Sequence, residues 1–414
     1  MEINDPRGRI FINASAYTDP PSWHAVAAEL RRDAPVVRVE AEGYSPFYAV
    51  TRHADVFEIS RHHELWHNTR TSVLGPDLNF LFLHSLGIEP TTLIHMDGDE
   101  HRDHRHVTND WFKPAAVKGR QESIEAIADE FVDKLAGLGG RCDFAQDIAV
   151  PYTLRVIMSI FGIPQSDERT MLELTQGLFG AADPEYLGDI TDPVEMLTSS
   201  IARFDDYFEA LAAERRAHPT DDLATVIANG QIAGCPMGRH ETLWYYIIVA
   251  TAGHDTTSFA LSGGLEALLR HPDQWAALAA DPDLAANATE EMIRWTSPVR
   301  HFLRYAQADT EVHGVPIAAG ERVLLSYWSA NRDDEVFADP MRFDITRPDA
   351  KDLISFGLGV HYCLGSQFAR REVRTMLQHL ARRVKTIELD GDPEWSLAHF
   401  VGGVKHLPVR YTMR

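Results

Sequence analysis

Apolar positions along the 414-residue chain recur mostly at three- and four-residue spacing, as in helices that bury one face. The pattern predicts helices at about 22–33, 100–112, 117–138, 146–161, 191–216, 239–270, 284–295 and 363–382. β-prone pieces lie near 35–50, 301–325 and 384–412, one of them Arg322-Val323-Leu324-Leu325 after a turn at Gly320. Three long stretches, about 67–98, 180–190 and 331–362, show neither period, and loops of that length tend to be functional. The first carries Phe80-Leu81-Phe82-Leu83, which suits either a loop packed on the core or a mobile wall of an apolar pocket. No repeat, low-complexity tract or Gly/Ser linker interrupts the chain, so residues 1–414 read as one domain, mainly α with small sheets at its edges.

Charge narrows the functional classes. With 39 basic and 61 acidic residues the formal charge is -22, the wrong sign for general nucleic-acid binding or broad docking on an anionic membrane. The longest strongly apolar stretch, around Leu243 to Ala252, is about half the ~20 residues of a bilayer span, and no signal segment opens the chain. A soluble, cytoplasmic protein without a membrane anchor is expected. Three scattered cysteines form no disulfide framework or C-x-x-C pair, so Cys142 and Cys235 read as reduced thiols.

Cys363 differs. Phe356-Gly357-Leu358-Gly359-Val360-His361-Tyr362-Cys363-Leu364-Gly365 ends a glycine-rich loop and opens an apolar-periodic helix. Glycines allow a tight turn and close approach to a bound group, and a helix N-terminus favours a thiolate. Such a thiolate can ligate haem iron and favour O–O cleavage. Zinc is disfavoured, because His361 and Cys363 have no second cysteine pair nearby. Histidine groups at 101, 104 and 106 and at 62, 63 and 67 lack the H-E-x-x-H arrangement and read as solvated.

Inside the 239–270 segment, Ala252-Gly253-His254-Asp255-Thr256-Thr257 combines a helix-weakening glycine with β-branched residues. A threonine hydroxyl bonded one turn back bends a helix, so a local distortion and a groove are expected here. Glu291 and Arg294, three apart, share a helical face.

The Cys363 loop resembles the F-G-x-G-x-H-x-C-x-G haem-binding signature of the cytochrome P-450 family at all six fixed positions. The Ala252–Thr257 segment resembles that family's A-G-x-D-T motif, and Glu291-x-x-Arg294 its E-x-x-R helix. The resemblance implies a triangular helical prism with small peripheral β-sheets, haem b as cofactor, and a soluble bacterial monooxygenase of the three-component type. It implies Cys363 as the metal ligand, with Ala252, Gly253, Phe356, Gly357 and Gly365 against the cofactor. His101, Arg105, Arg304 and His361 would hold the two propionates, arginine suiting a carboxylate by its fork. Thr256 would bond the reacting oxygen and Asp255 relay protons from solvent, an alcohol with an acid behind it suiting two-proton delivery. His254 fills a variable position, is free to face outward and receives no role. Glu291, Arg294 and Arg347 would form a structural ion cluster.

An apolar pocket is expected from Val249, Ala250, Val299, Phe302, Phe400 and Val401, with Phe80, Leu81, Leu178 and Phe179 as further candidates. Arg300 and His301 stay unassigned between propionate and substrate. Arg370, Arg371 and Arg374 would offer a docking face to an acidic ferredoxin, served by an NAD(P)H reductase. The implied reaction inserts one oxygen of O2 into a hydrophobic substrate, the motif context and the 400–406 tail pointing to terpenoid or sterol-like compounds. A peroxide-driven peroxygenase and a non-catalytic haem sensor are the alternatives, and Asp255-Thr256 argues against the first.

Overall fold

The computed structural model describes residues 5–68, 71–179, 183–187 and 193–414, and the expected helices form there. Pro20–Asp33, Gly98–Thr108, Gln121–Gly137, Val150–Phe161, Pro193–Ala217, Ala285–Thr296 and Ser366–Arg383 follow the apolar period. Their ends have local causes. Asp19 accepts from the Ser22 N–H at the first N-terminus, and Gly162, at φ 72°, closes the Val150–Phe161 helix.

One expected distortion is present, and one expected loop is not a loop throughout. The 239–270 helix is broken into Arg239–Ala252 and Asp255–Leu269, which is the distortion anticipated from Gly253 and Thr256. The 67–98 stretch is not structureless: Asp77–Ser85 is helical, with Leu83 buried while Leu78, Leu81 and Phe82 are exposed. Further helices at His53–Arg61, Glu168–Phe179 and Pro272–Ala280 went unread. In Pro272–Ala280 only Trp275 and Leu278 are buried, too few to show a period.

The largest sheet has five strands, ordered Val36–Ala41, Tyr44–Val50, Arg322–Ser326, His301–Ala306 and Trp66–His67. Tyr44–Val50 and Arg322–Ser326 run parallel, Tyr48 opposite Val323; the other neighbours are antiparallel. Side chains alternate along His301–Ala306, so Leu303 joins Val37, Phe47 and Trp328 in one core cluster while Phe302 and Arg304 turn to the other face. A three-stranded sheet joins Val384–Leu389, Pro408–Met413 and Arg141–Asp143. The result is the mainly helical fold with small separate sheets that was expected.

The main core gathers around Val150–Phe161 and Asp255–Leu269, both buried on nearly every face, as befits helices inside a large protein. Beside it, Glu291 is fully buried and accepts from Arg294 at 2.7 and 2.8 Å and from Arg347 at 3.3 Å. The two guanidiniums also donate to the carbonyls of Asn331, Pro340, Asp339 and Arg342. Buried carbonyls need donors, and here arginines supply what a helix or sheet would supply elsewhere. The irregular 331–347 segment is thereby fastened to Ala285–Thr296.

Candidate active site

Cys363 stands where the glycine loop meets the Ser366–Arg383 helix, and its N–H donates to the Phe356 carbonyl at 2.8 Å. Gly357 and Gly359 adopt φ 66° and 67°, and a Cβ on Gly359 would collide with the Ser60 carbonyl, so the loop requires glycine there. Cys363 lies deep in the protein yet keeps accessible surface, because it faces a cavity rather than packed side chains. Burial pushes its thiol pKa up, opposed by the N–H groups of Gly365 and Ser366 and by Arg105 and Arg370. Arg105 braces the same loop, its Nη2 donating to the Tyr362 carbonyl at 2.6 Å.

The cavity has an empty volume of about 1510 Å³, part of it open to solvent. Its far members come from the broken helix: Ala252, Gly253 and Thr256 line it together with Cys363. Gly253 is there because a Cβ would come within 2.8 Å of Ile157 Cδ1. The Thr256 hydroxyl donates to the Ala252 carbonyl at 2.8 Å, bridging the break. Asp255 does not line the cavity; it is buried, Oδ1 3.0 Å from His254 Nδ1. His254, free on the sequence reading to face outward, is wholly buried instead.

At the rim, His101, Arg105, Arg304 and His361 converge, and all four line the cavity. The His101 and His361 rings lie 4.2 Å apart, His361 Nδ1 is 3.3 Å from Asn68 Nδ2, and its Nε2 is 3.7 Å from Asp97 Oδ1. Burial, then His361 and Arg105, push the His101 pKa down to about 3, and burial lowers those of Arg105, Arg304 and His361 as well. Four basic groups are thus crowded with their charged forms disfavoured, which fits a bound dianion. Haem b, with two propionates and an iron that takes a thiolate, matches this donor set and the apolar remainder of the cavity. Phe356, Gly357 and Gly365 also line it.

Of the expected pocket residues, Val249, Val299 and Phe302 line the cavity. Ala250, Phe400 and Val401 do not. Ala250 points into the main core, Phe400 packs behind Phe302 with ring centroids 5.4 Å apart, and Val401 bridges the backbone of Val299. Neither Arg300 nor His301 reaches the cavity. The Arg300 guanidinium sits 4.3 Å from the Tyr17 ring centroid and 4.9 Å from that of Trp328, on the other side of the sheet. Phe80 and Leu81 lie elsewhere, and the side chains of Leu178 and Phe179 fall outside the described residues. Sequence reading missed Ile157 and Ile160, cavity residues on the largely buried Val150–Phe161 helix, and Asn68, which no pattern marks. Arg370 is not free: it is clamped to Glu290 at 2.6 and 3.0 Å and donates to Tyr362 Oη.

The family model for cytochrome P450 matches residues 56–406. Cytochrome P450-terp of a Pseudomonas species is 38% identical over 98% of this chain and 97% of its own length. Steroid C26-monooxygenase of Mycolicibacterium smegmatis is 36% identical over 83% of this chain and 86% of its own. Among solved structures, CYP108D1 from Novosphingobium aromaticivorans is 39% identical, with TM-score 0.92 over all of both chains. A Mycobacterium marinum cytochrome P450 in complex with pseudoionone is 30% identical, with TM-score 0.88 over 99% of each. The chain belongs to the cytochrome P450 family of monooxygenases, oxidoreductases whose cofactor is haem b. Among the described residues no helix is long and apolar enough to cross a membrane.

Proposed function

We propose that this chain hydroxylates a small-to-medium hydrophobic molecule, terpenoid or sterol-like, in the cytoplasm. It would use O2 and two electrons from a separate ferredoxin and its NAD(P)H reductase. The observation that carries the reading is one cavity shared by the Cys363 thiol, the Thr256 hydroxyl and an apolar wall of Val249, Val299 and Phe302. When bound, haem b supplies the iron that activates dioxygen. Cys363 serves as its ligand and His101, Arg105, Arg304 and His361 hold its propionates. Thr256 and Asp255 move protons to the reacting oxygen. Arg371 and Arg374, half-buried on the helix after Cys363, remain to meet an acidic partner.

Relatives support the substrate class by name: cytochrome P450-terp, steroid C26-monooxygenases, a methyl-branched lipid omega-hydroxylase and a complex with pseudoionone. The test is a ligand panel of monoterpenes, sterols, linear fatty acids and polar aromatics, scored by a Soret blue shift of the haem-loaded protein. Terpenes or sterols are expected to give the tightest shifts, followed by oxygenated product with a ferredoxin pair. Shifts confined to linear acids or polar aromatics overturn the class. Turnover with peroxide that outpaces ferredoxin-supported turnover overturns the electron route.

A further inference from the structure

His254 interrupts the long cavity helix and is the only one of the six residues from Ala252 to Thr257 with a ring. That ring is 0% exposed, its Nε2 3.2 Å from the Val150 carbonyl and its Nδ1 3.0 Å from Asp255 Oδ1. A carbonyl only accepts, so Nε2 bears a hydrogen, and attraction between Nδ1 and the carboxylate requires a second one there, the ring being then an imidazolium. Val150 opens the helix that also carries Ile157, the residue against which Gly253 packs. One helix therefore pins the ring and buttresses the break. The approach of Nδ1 to Asp255 is that of an ion pair and lacks hydrogen-bond alignment. Among the described residues Asp255 has no other ion-pair partner.

An aspartate one residue before Thr256 has three staggered χ1 wells, and a proton path through it requires one of them. The carboxylate lies off the cavity while the Thr256 hydroxyl lies on it, so the direction in which Asp255 is held decides whether the two can work in series. We infer that His254 is the positioning residue of this pair: pinned by Val150, its ring holds the Asp255 carboxylate in a single orientation behind Thr256. The inference rests on the proton-relay reading of Asp255 and Thr256.

Two substitutions separate the ring's edges. The amide of His254→Asn reaches the Nδ1 position and can still hold Asp255, whereas that of His254→Gln reaches the Nε2 position and keeps only the Val150 tie. With the best shifting substrate, His254→Asn is expected to keep the parent yield of product per electron. His254→Gln and His254→Leu are expected to lose it severalfold to peroxide, with the substrate Soret shift and the carbon monoxide band near ~450 nm retained. If His254→Leu does not load haem, His254→Gln still decides. Parent-like coupling in His254→Gln, or coupling in His254→Asn as poor as in His254→Gln, overturns the inference. A second readout is independent of turnover. In the ferrous carbonyl form with 15N-histidine, Asp255→Asn should move the His254 Nδ1 resonance and Thr256→Ala should not; an unmoved resonance also overturns it. Asp255→Asn and Thr256→Ala are assayed alongside. If both stay coupled, the relay reading falls; if both uncouple while the His254 variants do not, only the positioning role falls.

Discussion

Glu291 answers two guanidiniums with one carboxylate, and none of the three side chains has more than 4% of its surface exposed. Replacing the pair with apolar residues would cost little, but removing one member strands buried charge, at about 3–5 kcal/mol. Glu291→Gln is therefore expected to lower the unfolding free energy read from denaturant titration by that amount and release the 331–347 segment to proteolysis, while Glu290→Gln, whose ion-pair partner is Arg370, should not. Cys363→Ser removes the sulfur: the carbon monoxide band near ~450 nm should vanish, and its persistence would refute the ligand assignment. Residues of this kind were legible because spacing marks them, three apart on a helix or fixed within a glycine loop. His254 and Arg300 were not. Nothing in a one-dimensional pattern says that a histidine at a variable position is swallowed by the core. Nor does it say which face of His301–Ala306 an arginine just outside the strand will join.

Among the elements, the 252–256 break was foreseeable from local chemistry, since glycine weakens the helix and Thr256 bonds the carbonyl one turn back. The Asp77–Ser85 helix was not, because Leu78, Leu81 and Phe82 are exposed and no buried stripe imposes a period. Another unannounced link fastens the Val404–His406 strand to its surroundings. Lys405 Nζ lies 3.0 Å from Asp183 and 2.8 Å from Glu185, and His406 bridges Asp143 at 2.5 Å and Glu185 at 2.8 Å. Burial disfavours the His406 cation, but its two carboxylate partners prevail and its pKa is raised. The stability it contributes is full below its unfolded value of about 6.5 and is lost as pH rises through the higher folded value. Asp183 and Glu185 are lowered, so their share is present above about pH 4 and fades as acid is added. His406→Gln should then lower Tm relative to the parent near about pH 6 and leave it unchanged near about pH 9, in paired melting curves.

At the scale of the whole molecule, composition and periodicity sufficed for a mainly helical body with marginal sheets. The order of the five-stranded sheet could not be read, because pairing depends on which segments meet in space. Tyr44–Val50 lies beside Arg322–Ser326, with Tyr48 opposite Val323. A growing chain lengthens by ~5–20 residues each second, so on the ribosome the early hairpin waits roughly a quarter of a minute to a minute for that neighbour. Throughout this interval one edge of Tyr44–Val50 presents unpaired amides and carbonyls to whatever nascent or finished protein is close by. Recombinant yield is therefore tied to chaperone supply and elongation speed, a slower ribosome leaving the strand unpaired for longer.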